Sequence, residues 1–261
     1  MSLTGTAPWV ITWADGVTET TSNAQHTRPD TPPVTKTYTI TALSSAGCAS
    51  GAQNGSKTVT VLPPSPASVT ATTVPASSRE VVIRWSSVSN VKEYVVERAS
   101  VLGGTAIRIS TVPAATLEIT DTVPASASPV AYIYYVRAVD SLGTQSARGA
   151  HDFATTATVL YADSVVQKRV TGIKAAHLVE LREAIDALRF AFGLPAVFAG
   201  QLPPSGLIRT ADFTSLAAAL NPVRTAHGLG SFQYTGTGVP PVTAGGVAIA
   251  EHIEQLRRAV E

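Results

Sequence analysis

This sequence is short of charge. Only 14% of its 261 residues are Asp, Glu, Lys or Arg, nineteen basic against eighteen acidic. The balance holds region by region: three of each sign in 1–62, seven of each in 63–160, nine basic and eight acidic in 161–261. No segment carries the basic excess that holds nucleic acid or the acidic excess of a solvating tail. No apolar run reaches the roughly 18 residues of a spanning helix. The opening Met1-Ser2-Leu3-Thr4-Gly5 has neither a basic n-region nor an apolar h-region, so a signal peptide is not expected at this start. One cysteine, Cys48, cannot close an internal disulfide. It is either a small buried residue or half of a bridge to a cysteine outside this chain. Lysine is scarce too, while Thr, Ser, Val, Ala, Gly and Pro dominate through residue 160, a composition that suits short strands and turns.

What is present begins with alternation. In "APWVITWADGV" Trp9, Ile11 and Trp13 share one strand face, and "ADG" supplies a turn. "TKTYTITAL" places Tyr38 and Ile40 together, and "GSKTVTVL" does so for Val59 and Val61. Three strands and a short fourth are few for a sandwich. The segment "TGTAPWVITWADG", "TKTYTITALSSAGC", "GSKTVTV" resembles the immunoglobulin-like or PKD-like repeats of bacterial secreted and surface proteins. That resemblance implies one or two further strands upstream, with a cysteine able to pair with Cys48, so the module over 1–62 is expected to be partial. Trp9 and Trp13 could form a platform for stacking sugars, but large aromatics on an alternating strand usually face a core.

"LPPSP", residues 62–66, is a stiff spacer. Beyond it Val81, Ile83 and Trp85 share a face, as do Tyr94 and Val96, Ile107 and Ile109, Leu117 and Ile119, and Tyr132, Tyr134, Val136 and Ala138. Trp85, "YVVER", "ITDT" and "YIYYVRAVDSLG" together resemble a fibronectin type III domain of the bacterial kind over 67–159. The resemblance implies a spacer or a binding surface, and makes Tyr132 the corner tyrosine that ties a loop to the sheet. "RGA" at 148–150 is the nearest approach to Arg-Gly-Asp, so integrin-style adhesion has no support.

From about residue 165 the period becomes 3.6. Leu178, Leu181, Ile185, Leu188 and Phe192 form one stripe, closed by Gly193-Leu194 and Pro195. Phe213, Leu216, Leu220 and Val223 repeat it before Gly228-Leu229, and Ile249, Ile253, Leu256 and Val260 form a third. Aligning "IKAAHLVELREAI", "IRTADFTSLAAAL" and "AIAEHIEQLRRAV" pairs His177 with Asp212 and His252 at offsets of 35 and then 40 residues, an internal repeat. Three such stripes can be buried only against one another, which predicts a three-helix domain over 162–261. Pro222 interrupts the second stripe and predicts a kink, or a restart capped by Asn221. The "HLVELREAIDALR…GLP" pattern resembles a C-terminal helical module of large secreted proteins of soil bacteria, to which no activity attaches.

His177 and Glu180, three apart on one helix side, could be an acid–base or metal pair. A composite site of His177, His252 and Asp212 is conceivable, but no spaced ligand set accompanies it. A role for the His/Asp position in bonding the helix N-terminus is the simpler reading, with Glu180, Arg182, Glu183 and Arg189 on a solvated flank and Arg182 paired to Asp186. No nucleophile elbow, phosphate loop, dinucleotide fingerprint or H-E-x-x-H occurs, and Glu80, Glu93, Glu97 and Asp121 read as solvated or turn acids. The sequence therefore assigns no catalytic, cofactor-binding or metal residue. It predicts two immunoglobulin-like β modules, the first partial, then a small all-α three-helix domain. The expected role is a non-catalytic, secreted or cell-surface region that spaces or docks a larger bacterial protein through an extracellular protein or glycan partner. The alternative is a carbohydrate-binding accessory region of a secreted hydrolase.

Overall fold

The computed structural model describes residues 1–48, 55–74, 79–126, 129–155, 163, 172–198, 208–235 and 249–260. The expected boundary between sandwich and helices, at 159–162, lies outside them. The chain divides into two compact units, Met1–Pro64 with Leu142–Gln145, and Ser65–Ser141 with Ser146–Glu261.

The first unit is built on one antiparallel sheet in the order β2-β1-β3-β4, from β1 (Trp9–Trp13), β2 (Thr18–Thr21), β3 (Lys36–Ser45) and β4 (Ser56–Val59). Its buried apolar set is Leu3, Trp9 and Ile11, with Trp13, Ile40 and Leu43 partly covered against it. Val59, expected to face inward, is exposed, because β4 is an edge strand exposed along its whole length. Cys48 is exposed as well, at the end of a turn in which Ser45 N–H donates to the Cys48 carbonyl at 2.9 Å.

The second unit opens with a β-sandwich of two antiparallel sheets. One sheet holds β5 (Val69–Thr73), β6 (Glu80–Trp85) and β9 (Glu118–Thr122). The other runs β11-β10-β7-β8, from β7 (Glu93–Ala99), β8 (Ala106–Pro113), β10 (Ala131–Val139) and β11 (His151–Thr155). All these pairings are antiparallel; β5–β6, β7–β8 and β10–β11 join consecutive strands, and β6–β9 and β7–β10 join strands further apart in the chain. The alternation read from the sequence fills the interior: Val81, Ile83, Trp85, Tyr94, Val96, Tyr134, Val136 and Ala138 are buried together. Ile107 and Leu117 are not, being exposed on the strand and turn that bear them. Tyr94 ties a loop, its hydroxyl accepting Val88 N–H at 2.7 Å. Tyr132 instead lies partly buried under the Arg98 guanidinium, 4.7 Å from its ring centre.

Three helices follow: α1 (Ala175–Ala191), α2 (Thr210–Ala226) and α3 (Ala250–Val260). Every apolar stripe residue within them is buried, and so is Phe192. Their core continues into the sandwich. Ala99, Ala131, Ile133 and Tyr135 point away from the sandwich interior and pack with Leu178, Leu181, Ile185 and Leu188. Strand β10 is therefore covered on both faces, which is why "AYIYYVRAV" is apolar almost throughout. Each large side chain so buried is worth about 1.5–3 kcal/mol.

Helix α2 runs through Pro222 without restarting at Asn221. The missing proline N–H leaves a carbonyl one turn back without its helical donor. In that turn Arg189 Nη1 donates to the Ala219 carbonyl at 2.7 Å from the neighbouring helix.

Candidate functional site

The His/Asp position of the repeat is the place to look for chemistry, and all three copies use it alike. Lys174 N–H donates to His177 Nδ1 at 3.2 Å, Arg209 N–H to Asp212 Oδ2 at 2.8 Å, and Ile249 N–H to His252 Nδ1 at 3.1 Å. Each side chain reaches back one turn to take an N–H at the start of its helix. The residue before each helix is Lys174, Arg209 or Ile249, none of which accepts hydrogen bonds through its side chain, so only this half of a capping box forms.

For His177 this fixes the tautomer. Nδ1 accepts, so the proton sits on Nε2 and is donated to Asp163 Oδ2 at 2.8 Å. Lys174 Nζ meets the same carboxylate at 2.8 Å, and Lys174 followed by His177 holds Asp163 below the ordinary carboxylate range. The pair resembles a catalytic Asp–His dyad in outline. The ring nitrogen that would act as general base is already occupied by a backbone N–H. Glu180 is not its partner: Arg257 Nη2 lies 3.5 Å from Glu180 Oε2. His177, Asp212 and His252 stay at three separate helix starts, and among the described residues no group of three His, Cys, Asp or Glu side chains could hold a metal.

Of the flank expected to be solvated, Glu183 is exposed, but Glu180, Arg182 and Arg189 are engaged. Arg189 is buried, and its Nε donates to the Pro195 carbonyl at 2.8 Å. Arg182 and Asp186 each reach beyond their own helix. Arg182 lies over the Phe198 ring at 5.4 Å and 3.6 Å from Asp212, while Asp186 accepts Val197 N–H at 2.8 Å and Phe198 N–H at 2.9 Å. The second copy repeats these ties 35 residues on: Arg224 Nε donates to the Gly230 carbonyl at 2.8 Å, and Asn221 Oδ1 accepts Phe232 N–H at 2.7 Å. Gly193 and Gly228 take φ of +70° and +81°, and the Leu194 and Leu229 N–H groups each bond back to an arginine carbonyl at 2.7 Å.

In the sandwich, two acids read as solvated are buried. Asp121 Oδ2 receives Arg98 Nη1 at 2.7 Å and the Tyr134 hydroxyl at 3.0 Å. Glu97 receives Arg148 Nε at 2.7 Å. Burial, then the Asp121 charge, push the Tyr134 phenol far above its ordinary range, so it stays a donor. The charge of Asp121 is neutralised in place, which is the condition for burying it.

Among the tryptophans, Trp9 and Trp85 are each only 5% exposed and serve the cores. Trp13 is partly exposed beside a cavity of about 240 Å³ lined in part by Tyr38, His26, Arg28 and Lys57. Tyr38 meets Trp13 edge-on at 6.4 Å, and the Arg28 guanidinium lies 5.1 Å from the Trp13 ring centre. Arg28 is itself held by Asp15 through two bonds of 3.2 and 2.8 Å, and it and Lys36 hold that carboxyl well below its usual range. No helix among the described residues is long and apolar enough to cross a membrane.

No family model matches this chain, and no curated protein matches it. Among solved structures, a Fn3-like protein from Clostridium thermocellum is 24% identical, covers 36% of this chain over 92% of its own, and has a TM-score of 0.31. The chicken CNTN1 FN1-FN3 domains are 15% identical over 57% of this chain and 56% of theirs, with a TM-score of 0.34. Pectate lyase PelI from Erwinia chrysanthemi, solved with tetragalacturonic acid, is 22% identical over 35% of this chain and 28% of its own, at 0.27. These likenesses concern the fold alone.

Proposed function

We propose that this chain is a non-catalytic spacing and docking region of a larger secreted or cell-surface bacterial protein. One observation carries the reading. The helical side chains that could do chemistry, His177, Asp212, His252, Asp186, Asn221, Arg189 and Arg224, all bond the chain's own backbone. A β module, a proline spacer and a sandwich in series suit a part that sets distance and presents surface. Its partner, an extracellular protein or a glycan, would meet that surface.

A second reading, a carbohydrate-binding accessory region, is favoured by the Trp13–Tyr38 cavity. Against it, Trp9 and Trp85 are interior and Arg28 already occupies a face of Trp13. A glycan array on the purified chain, run beside Trp13→Ala, separates the two. The spacing role expects no glycan signal. A signal lost in Trp13→Ala would replace it with the carbohydrate reading. Ester, glycoside or peptide turnover that disappears in His177→Ala would overturn both.

A further inference from the structure

Helix α2 ends on His227, whose ring lies 5.9 Å from Phe192, 5.1 Å from Phe153 and 5.5 Å from His151, centre to centre. His151 and Phe153 belong to β11 and Phe192 caps α1, so sandwich and helices meet at this cluster. Its ring nitrogens are unequally served. His227 Nε2 lies 3.4 Å from Asp152 Oδ1, and the other oxygen of Asp152 accepts Ala71 N–H on β5 at 2.8 Å. His227 Nδ1 and His151 Nε2 are buried without a hydrogen-bond partner.

The other charged and titratable groups around the pair are committed elsewhere. Tyr135 on β10 stacks at 5.7 Å from His151, and the Arg148 guanidinium covers that tyrosine while pairing with Glu97 of β7. Arg224, in the last turn of α2, donates to the Gly230 carbonyl, and Arg189 of α1 donates to the Pro195 and Ala219 carbonyls. The anion beside the pair, Asp152, meets His227 alone of the two imidazoles.

We propose that His151 and His227 form an acid-sensitive latch holding the helical end against the sandwich. His227 faces Asp152 and the negative end of the α2 dipole. A proton on His151 finds no anion of its own, since its Nε2 is buried without a partner and its ring lies among those of Tyr135 and His227. Burial, and then His227, push the His151 pKa below the ordinary imidazole range. In the opened state the ring returns to about 6.5. The open form then binds the proton more readily, so the latch holds fully above that pH and weakens as pH falls through it. Among the described residues, Leu102 N–H to the Ala191 carbonyl at 2.7 Å and Thr155 Oγ1 to the Val260 carbonyl at 3.2 Å add polar ties to it.

Hydrogen exchange on the intact chain at pH about 7.5 and about 5, corrected for intrinsic rates, tests the latch in peptides covering 151–155 and 223–229. Protection there is expected to fall about tenfold in acid, equivalent to about 1.4 kcal/mol, while β6 is unchanged. His151→Phe keeps a ring in the cluster and removes the proton site, and its protection is expected to be the same at both pH values. NMR titration of the unmodified chain needs no variant and should find His151 protonating below about 6.5. Three results would each overturn the latch: wild-type protection that ignores acid, an equal loss in His151→Phe, or His151 titrating at or above that value.

Discussion

Helices α1 and α2 are two copies of one pattern, 35 residues apart and 17 residues long each, and they differ in an instructive way. Positions that satisfy backbone groups are kept in kind. His177 and Asp212 both take an N-terminal N–H, Asp186 and Asn221 both tie the following loop, and Arg189 and Arg224 both hold a carbonyl beyond the helix. The apolar stripe is kept as well, but the Arg182 position is not. Where α1 has Arg182 stacked over Phe198, α2 has Ala217 and the equivalent loop residue is Gln233. A groove of about 350 Å³ opens there, lined in part by Ala217, Ala218, Phe232 and Tyr234. An unpaired buried polar group costs more than a missing surface contact, and so does its loss during divergence.

The comparison breaks first at the cores. Leu181→Ala and Leu216→Ala each remove a fully buried side chain and should cost about 3 kcal/mol in urea unfolding. Costs differing by more than about 1.5 kcal/mol would mean that the copies do not share one core equally. Next come the loop ties. Asp186→Ala loses two charge-assisted bonds, at about 2 kcal/mol, against about 1 for Asn221→Ala with its one bond. Asp186→Asn should close most of that gap, and equal costs for the two alanine variants would show the second bond to be idle. At the helix starts, His177→Ala and Asp212→Ala should each cost about 1 kcal/mol, with chelators leaving both wild type and variants unmoved in thermal melts. The smallest effect is a gain. Ala217→Arg with Gln233→Phe rebuilds the stacked pair in the second copy and should add about 0.5 kcal/mol, read as a higher urea midpoint.

Much of this was legible from residue order because the signals are local. A stripe at 178, 181, 185, 188 and 192, a Gly-Leu stop and an alternating Val81-Ile83-Trp85 report which face must leave water, whatever it meets. Prediction failed where the outcome depended on a distant neighbour. Asp121 looked like a turn acid because Arg98 and Tyr134, which neutralise and bond it, come from other strands. Arg189 looked solvated because its acceptor, Ala219, belongs to another helix. Of the two outcomes read from Pro222, a restart at Asn221 does not occur, since α2 runs on through it. The second face of β10 carried a readable signal in Ile133 and Tyr135, both apolar where a solvated face would be polar, and Phe153 on the neighbouring strand repeats it.

The order of residues settled most of the strands, the three helices, the ties at their ends and the internal repeat, since each depends on groups within a few positions of one another, but it did not mark β2, β5 or β11. Folding alone decided that the helices close over the outer side of a sheet, that a carboxylate lies buried beside an arginine, and that two histidines pack edge to face. Those outcomes follow from which distant surfaces exclude water together, a property of the packed chain and not of any one segment.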